Sequence, residues 1–174
     1  SKENKYILFF GFIRDYKGLD LLLEAMQDTA LEKKNVKLII AGEYYSNEQK
    51  YLDLIEKLDL KNKVRLFTEF IPNEEVATYF SAADLVVQPY KTATQSGITQ
   101  IAYHFEKPMI VTDVGGLKEI VPEGKVGFVV QPEPTEIADA INKFYESTID
   151  FDTHIKEEKK KYSWLKLVNT LEEL

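Results

Sequence analysis

The sequence predicts an α/β fold, a Rossmann-like doubly wound parallel sheet of about six strands with helices on both faces. Two observations carry this. Short apolar, β-rich runs alternate with longer stretches at helical spacing along most of the chain. Most of those runs are continuously apolar rather than alternating, the pattern of strands buried on both faces.

The elements follow in order. Tyr6–Phe10 is an apolar run closed by Gly11 and reads as a buried strand. Leu22, Leu23, Met26 and Ala30 mark a helix over Leu19–Lys34. Val36–Ala41 is a second strand, closed by Gly42. Ser46 and Gln49 have capping-box spacing for a helix reaching Leu58. Val64–Phe67 is a third strand, and Asn73 is placed to cap a helix whose first turn carries Glu74 and Glu75. Leu85–Gln88 is a fourth strand, stopped by Pro89, and a helix follows from Gly97 to Phe105. Met109–Thr112 and Gly127–Val130 are the fifth and sixth strands, the latter followed by a helix starting near Pro134. In the tail, charged Phe151–Lys161, with its Lys159-Lys160-Lys161 run, reads as a solvated helix face. Trp164, Leu165, Leu167, Val168 and Leu171 form a last amphipathic helix.

Bulk properties narrow the function. The 174 residues suit one domain. A formal charge of -7 argues against a nucleic-acid-binding face. With no cysteine, disulfides and thiolate metal sites are ruled out, which fits a reducing cytoplasm. The start at Ser1, without Met or a signal-peptide core, reads as a piece of a longer protein.

In a doubly wound sheet the ligand sits at the carboxyl ends of the strands. The loops of interest are therefore Gly11–Gly18, Gly42–Tyr45, Pro89–Gly97 and Asp113–Glu119. In the first, Gly11 permits a tight exit, Arg14 offers a planar fork of donors and Lys17 a mobile point charge. Two cations ahead of a helix suit a diphosphate, although a surface turn with solvated Arg and Lys explains the same residues. In the third, Thr92 to Gln100 combines small hydroxyl residues with Gly97, so backbone N–H groups can approach an anion; Ser96 or Thr94 as a plain N-cap is the structural explanation. Gly115-Gly116 is a tight turn or a loop bordering a sugar. Neither a Walker A loop nor Gly-x-Gly-x-x-Gly is present. His104 and His154, the two histidines, have no neighbours at metal-ligand spacing.

Taken together, Phe10–Gly18, Ile39–Gly42, Ile71–Val76 with Ala83–Tyr90, and Lys107–Val121 resemble the carboxyl-terminal, donor-binding domain of family 4 retaining glycosyltransferases, the glycosyl transferases group 1 domain of the GT-B fold. Gly127–Val130 and Tyr162–Trp164 fit as well. The resemblance implies that residues 1–174 bind a UDP-, GDP- or other NDP-sugar, with no cofactor and no metal. It implies that an absent amino-terminal domain holds the acceptor glycan or lipid-linked sugar, and that residues 163–174 are a crossover helix returning to that domain. Arg14 and Lys17 are the implied catalytic pair, binding the donor diphosphate. Gly11, Ser96, Gly97, Ile98, Thr99 and Gln100 are implied on the phosphate and ribose side, and Phe67, Thr68 and Phe70 at the nucleobase. The isolated piece is expected to be inactive. The implied setting is cytoplasmic polysaccharide biosynthesis, with peripheral attachment to the inner membrane open for the longer protein.

The chain departs from the family at one place. Most members carry Glu-x7-Glu across the fourth-strand loop and helix, the first for the sugar and the second for the ribose. Lys91–Phe105 contains no glutamate, leaving Thr99 or Gln100 as neutral ribose partners, and Glu106 stands where glycine is usual. Two alternatives therefore stay in view: a non-catalytic nucleotide-sugar-binding or assembly module, and a GT-B nucleotide-sugar epimerase.

Overall fold

A computed structural model describes residues 4–93 and 96–172, the last ten of these in backbone only. The strands are β1 (Lys5–Phe10), β2 (Val36–Ala41), β3 (Val64–Phe67), β4 (Leu85–Gln88), β5 (Met109–Thr112) and β6 (Gly127–Val130). The helices are α1 (Leu19–Ala25), α2 (Thr29–Lys33), α3 (Glu48–Lys57), α4 (Val76–Ala82), α5 (Gly97–His104), α6 (Leu117–Ile120), α7 (Pro134–Glu146) and α8 (Phe151–Glu172). All pairings are parallel, in the order β3-β2-β1-β4-β5-β6. The order reverses between β1 and β4, the switch point at which such sheets open a crevice. Ile7, Leu8, Leu85 and Val86 pair there and are wholly buried.

The expected α/β architecture is present, with local differences. The predicted single helix over Leu19–Lys34 is two. Asp28 accepts the N–H of Leu31 at 3.0 Å, and that N-cap starts a new helix. The capping box at Ser46 does not form. Asn47 adopts φ 60°, the helix begins at Glu48, and Gln49 instead donates to Asp53 at 2.7 Å. Asn73 opens a 3-10 turn behind Pro72 rather than capping α4. β3 is an edge strand with Arg65, Leu66 and Phe67 exposed, so its apolar sequence is not matched by burial on both faces.

The tail is one helix, not two. Its first half has a solvated face, with Asp152, Lys156, Glu157, Lys160 and Lys161 exposed, and a docked one: Ile155 and Glu158 are buried, and Lys159 donates to the His104 carbonyl at 3.0 Å and pairs with Glu106 at 3.4 Å. Glu106 has φ 55°, a conformation that favours glycine, and its carboxylate serves α8. The hydroxyls of Tyr103 and Tyr162 both donate to the Ile120 carbonyl. The apolar stripe from Trp164 to Leu171 lies outside the described side chains, as Thr94 and Gln95 lie outside the described residues. No helix among the described residues is long and apolar enough to cross a membrane.

Candidate functional site

The crevice is walled by the loops that leave β1 and β4. The β1 and β2 exits stay paired beyond the sheet. Gly11 N–H donates to the Ala41 carbonyl at 2.9 Å, Ile13 N–H to Glu43 at 2.9 Å, and Tyr45 N–H to Ile13 at 3.1 Å. This close approach requires Gly42, where a Cβ would stand 1.9 Å from the Gly11 carbonyl oxygen. On the other side, Lys91 N–H donates to the Tyr16 carbonyl at 2.7 Å and ties the two loops together.

Within this frame four charged side chains cancel each other. Lys50 meets Asp15 at 2.9 Å, Lys91 meets Asp20 at 2.8 Å, and weaker cross-contacts at 3.4 and 3.9 Å join the pairs. The Lys50 hydrogen bond and the Lys91 charge hold the Asp15 carboxyl below its usual range. Asp15 and Asp20 are thereby matched.

Arg14 and Lys17 are not matched. Neither has an ion-pair partner among the described residues. The Arg14 guanidinium carbon lies over the Tyr45 ring, 4.0 Å from its centroid. The Lys17 ammonium is half-buried, 6.0 Å from the Tyr90 ring centroid, and its pKa is pushed down by burial and by the Arg14 charge. A Cβ on Gly11 would come 3.2 Å from that ammonium and 3.3 Å from the Ile98 side chain. Gly11, Lys17 and the start of α5 therefore meet at one point. Positive charge beside a helix N-terminus, with Asp15 and Asp20 already paired, is an arrangement suited to an anion.

The start of α5 is set from beneath. Ser96 Oγ donates to Gln88 Oε1 at 2.6 Å, accepts the N–H of Ile98 at 3.2 Å and lies 3.2 Å from the Tyr90 hydroxyl. Gln88, Tyr90 and Ser96 are all buried. The Ser96 hydroxyl is thus occupied as a cap, and what it offers a ligand is the exposed backbone it orients at Gly97, whose Cβ position meets open space. Thr99, one of the two neutral candidates for a ribose contact, is corrected. It is fully buried and its hydroxyl donates to the Ser96 carbonyl at 2.6 Å, because a short hydroxyl in the first helical turn bonds back to the cap. Gln100 is exposed in the same turn. We expect Ser96→Ala to cost about 2–3 kcal/mol in urea unfolding, from the lost cap and the unpartnered Gln88 carbonyl. A loss below about 0.5 kcal/mol, the range of neutral surface changes, would mean the network carries nothing.

Sequence reasoning put Tyr45 and Tyr90 in loops of interest without giving either a role, and left Gln88 as the end of a strand. For Gln88 a signal existed: it is the polar end of the apolar run Leu85-Val86-Val87, immediately before the crevice loop.

At the β3 end, two strand spacings or roughly 10 Å from β1, lies a groove of about 390 Å³. Phe67, Thr68, Phe70 and Tyr79 line it together with Glu69 and Glu75. Phe70 is 73% exposed, and no hydrogen bond among the described residues uses the N–H groups of Thr68, Glu69 or Phe70. The three residues expected beside a nucleobase thus line one groove, where exposed aromatic rings, two carboxylates and backbone N–H donors meet. His104 lies away from this crevice, in α5 against Phe105, and no three His, Asp or Glu side chains among the described residues gather as a metal ligand set.

The family model for glycosyl transferases group 1 matches residues 1–162. The chain belongs to that family. An uncharacterised glycosyltransferase of Methanocaldococcus jannaschii is 32% identical over 169 residues, which are 93% of this chain and 42% of that protein. The lipopolysaccharide 1,2-N-acetylglucosaminetransferase of Salmonella typhimurium is 25% identical over 185 residues, 99% of this chain and 48% of that protein. Among solved structures, HepE of Anabaena in complex with UDP superposes with a TM-score of 0.79 at 24% identity, covering 99% of this chain and 50% of that one. The carboxyl-terminal domain of a group 1 family protein from Francisella tularensis gives 0.73 at 20% identity, covering 91% and 85%. These likenesses show the GT-B glycosyltransferase fold. The chain spans about half, or less, of the length of the curated relatives it matches.

Proposed function

We propose that this chain is the donor-binding half of a nucleotide-sugar-dependent glycosyltransferase. The single observation that carries the proposal is the unpaired, half-buried Lys17 ammonium, set with Arg14 beside Gly11 and the start of α5. An unpaired buried charge is costly, and a site that keeps one uses it on a ligand of opposite sign. When the sugar–phosphate bond of an NDP-sugar breaks, negative charge develops on the departing diphosphate. Arg14, Lys17 and the α5 N–H groups are aimed at that charge, so cationic side chains and dipoles serve where another enzyme would use a metal ion. Transfer proceeds with retention, to an acceptor held by an amino-terminal domain, with residues 163–174 crossing back to it. No cofactor takes part, and the chain alone transfers nothing. The base lies on the Phe67–Phe70 groove, and Gln100 serves the ribose. HepE, similar in fold, has been solved with UDP and with UDP-glucose, which supports a nucleoside diphosphate as the ligand class.

The test is a titration of this chain with UDP and GDP, followed by calorimetry or chemical-shift change. Binding of at least one is expected. If neither binds at millimolar concentration, the proposal fails.

One observation favours a second reading. The loop and helix from Lys91 to Phe105 contain no glutamate, which suits a non-catalytic nucleotide-sugar-binding module. Turnover of a labelled nucleotide sugar by the longer protein decides against the module, and an epimerised free product decides for an epimerase.

A further inference from the structure

Tyr45 stands out among the exposed residues. Its side chain is on the surface at 65% exposure, yet its position is fixed by backbone contacts on both sides. Ile13, wholly buried, bridges to Tyr44, accepts the Tyr45 N–H and donates to Glu43. The loop after β2 is thus zipped onto the loop after β1, and this places the Tyr45 ring against Arg14. Arg14 has no carboxylate partner among the described residues, so the ring is its one recorded anchor there. An aromatic face attracts a guanidinium without consuming its N–H donors, which stay available for a bidentate anion. A carboxylate in the same place would hold Arg14 equally well but would compete with the anion for those donors.

We propose that Tyr45 is a positioning residue that holds the Arg14 guanidinium over the crevice and so raises its affinity for a diphosphate. The inference rests on the reading of Arg14 as a diphosphate ligand. Tyr45 acts through Arg14 and does not touch the ligand itself.

A double-mutant cycle on this chain tests it, with UDP and inorganic pyrophosphate as probes. Tyr45→Ala is expected to weaken both about three- to tenfold, the worth of one cation–π contact at an exposed to partly desolvated site. Tyr45→Phe keeps the ring and is expected to restore binding. In an Arg14→Ala background, Tyr45→Ala is expected to change nothing further. Three outcomes overturn the proposal. If Tyr45→Ala binds like the parent while Arg14→Ala is weakened, Arg14 needs no platform and the donor-site reading survives. If Tyr45→Ala still weakens UDP in the Arg14→Ala background, the ring contacts the nucleotide directly. If Arg14→Ala itself leaves both probes unaffected, the role given to Arg14 falls and the positioning role falls with it. Because Tyr45 is exposed and its backbone makes the fixing contacts, the Tyr45 variants should melt close to the parent, losing no more than the one ring contact with Arg14.

Discussion

Replacing Lys17 with methionine is expected to weaken nucleoside diphosphate binding about 10- to 100-fold, the worth of a hydrogen bond to a charged group in a partly desolvated place. Methionine keeps the apolar stem and removes the charge. The same change is expected to leave thermal stability unchanged or to raise it, because the ammonium is half-buried with no carboxylate among the described residues to repay its desolvation. A variant that binds less well yet melts no lower marks a residue kept for its ligand. Calorimetry and a melting curve check both halves, and a lower melting temperature with unchanged binding would make Lys17 structural.

The pH dependence has a definite sign. The folded pKa of Lys17 lies below the ordinary 10.5, held down first by burial and then by the Arg14 charge. The unfolded chain therefore keeps this proton to higher pH, and the contribution of Lys17 to stability rises as pH increases between the folded value and 10.5. Binding runs the other way. A diphosphate favours the charged amine and raises its pKa, so binding takes up a proton in alkaline solution and weakens as pH rises. Titrations in two buffers of different ionisation enthalpy read that uptake directly, and Lys17→Met should abolish it.

Gly18→Ala is expected to cost about 2–5 kcal/mol, summed from a left-handed backbone at about 1–2 and a backbone collision at about 1–3. Gly18 has φ 71°, and a Cβ there would stand 1.8 Å from the Pro89 carbonyl oxygen. The first loop rests on the exit of β4 at this point, and a main-chain atom cannot step aside as a side chain can. Gly124→Ala is the control. Its φ is 74°, but nothing lies within 4 Å of the added atom, so only the conformational cost of about 1–2 kcal/mol applies. Gly18→Asn sharpens the comparison, because asparagine tolerates the left-handed region but still brings a Cβ. Urea unfolding should place Gly18→Asn near Gly18→Ala and far below Gly124→Ala. Equal losses at Gly18 and Gly124 would show that the collision is relieved.

Much of the site was legible in the chain. Gly11, Arg14, Lys17 and Gly97 were identifiable because strand-to-helix loops are local and their chemistry is written in adjacent residues. Phe67, Thr68 and Phe70 are candidates through the family resemblance alone, because nothing in their own chemistry marks a nucleobase site. Two features were not legible. The Thr99 hydroxyl is turned back onto Ser96, and whether a hydroxyl faces ligand or backbone depends on rotation about a helix axis that periodicity does not fix. Tyr45 lies 31 positions from Arg14, and their meeting depends on β1 and β2 staying paired past their ends.

By itself the sequence determined the order of the elements, the parallel sheet and the loops that carry the positive charge. These follow from apolar runs, spacing and glycine position, all properties of neighbouring residues. The tertiary structure alone decided which charges are free. Asp15 lies between Arg14 and Lys17 in the chain, and a reading of neighbours would have it cancel one of them. Folding brings Lys50 and Lys91 to Asp15 instead, 35 and 76 positions away, and leaves Arg14 and Lys17 without an ion-pair partner among the described residues. Coulomb energy depends on distance in space and on burial, and the sequence records neither.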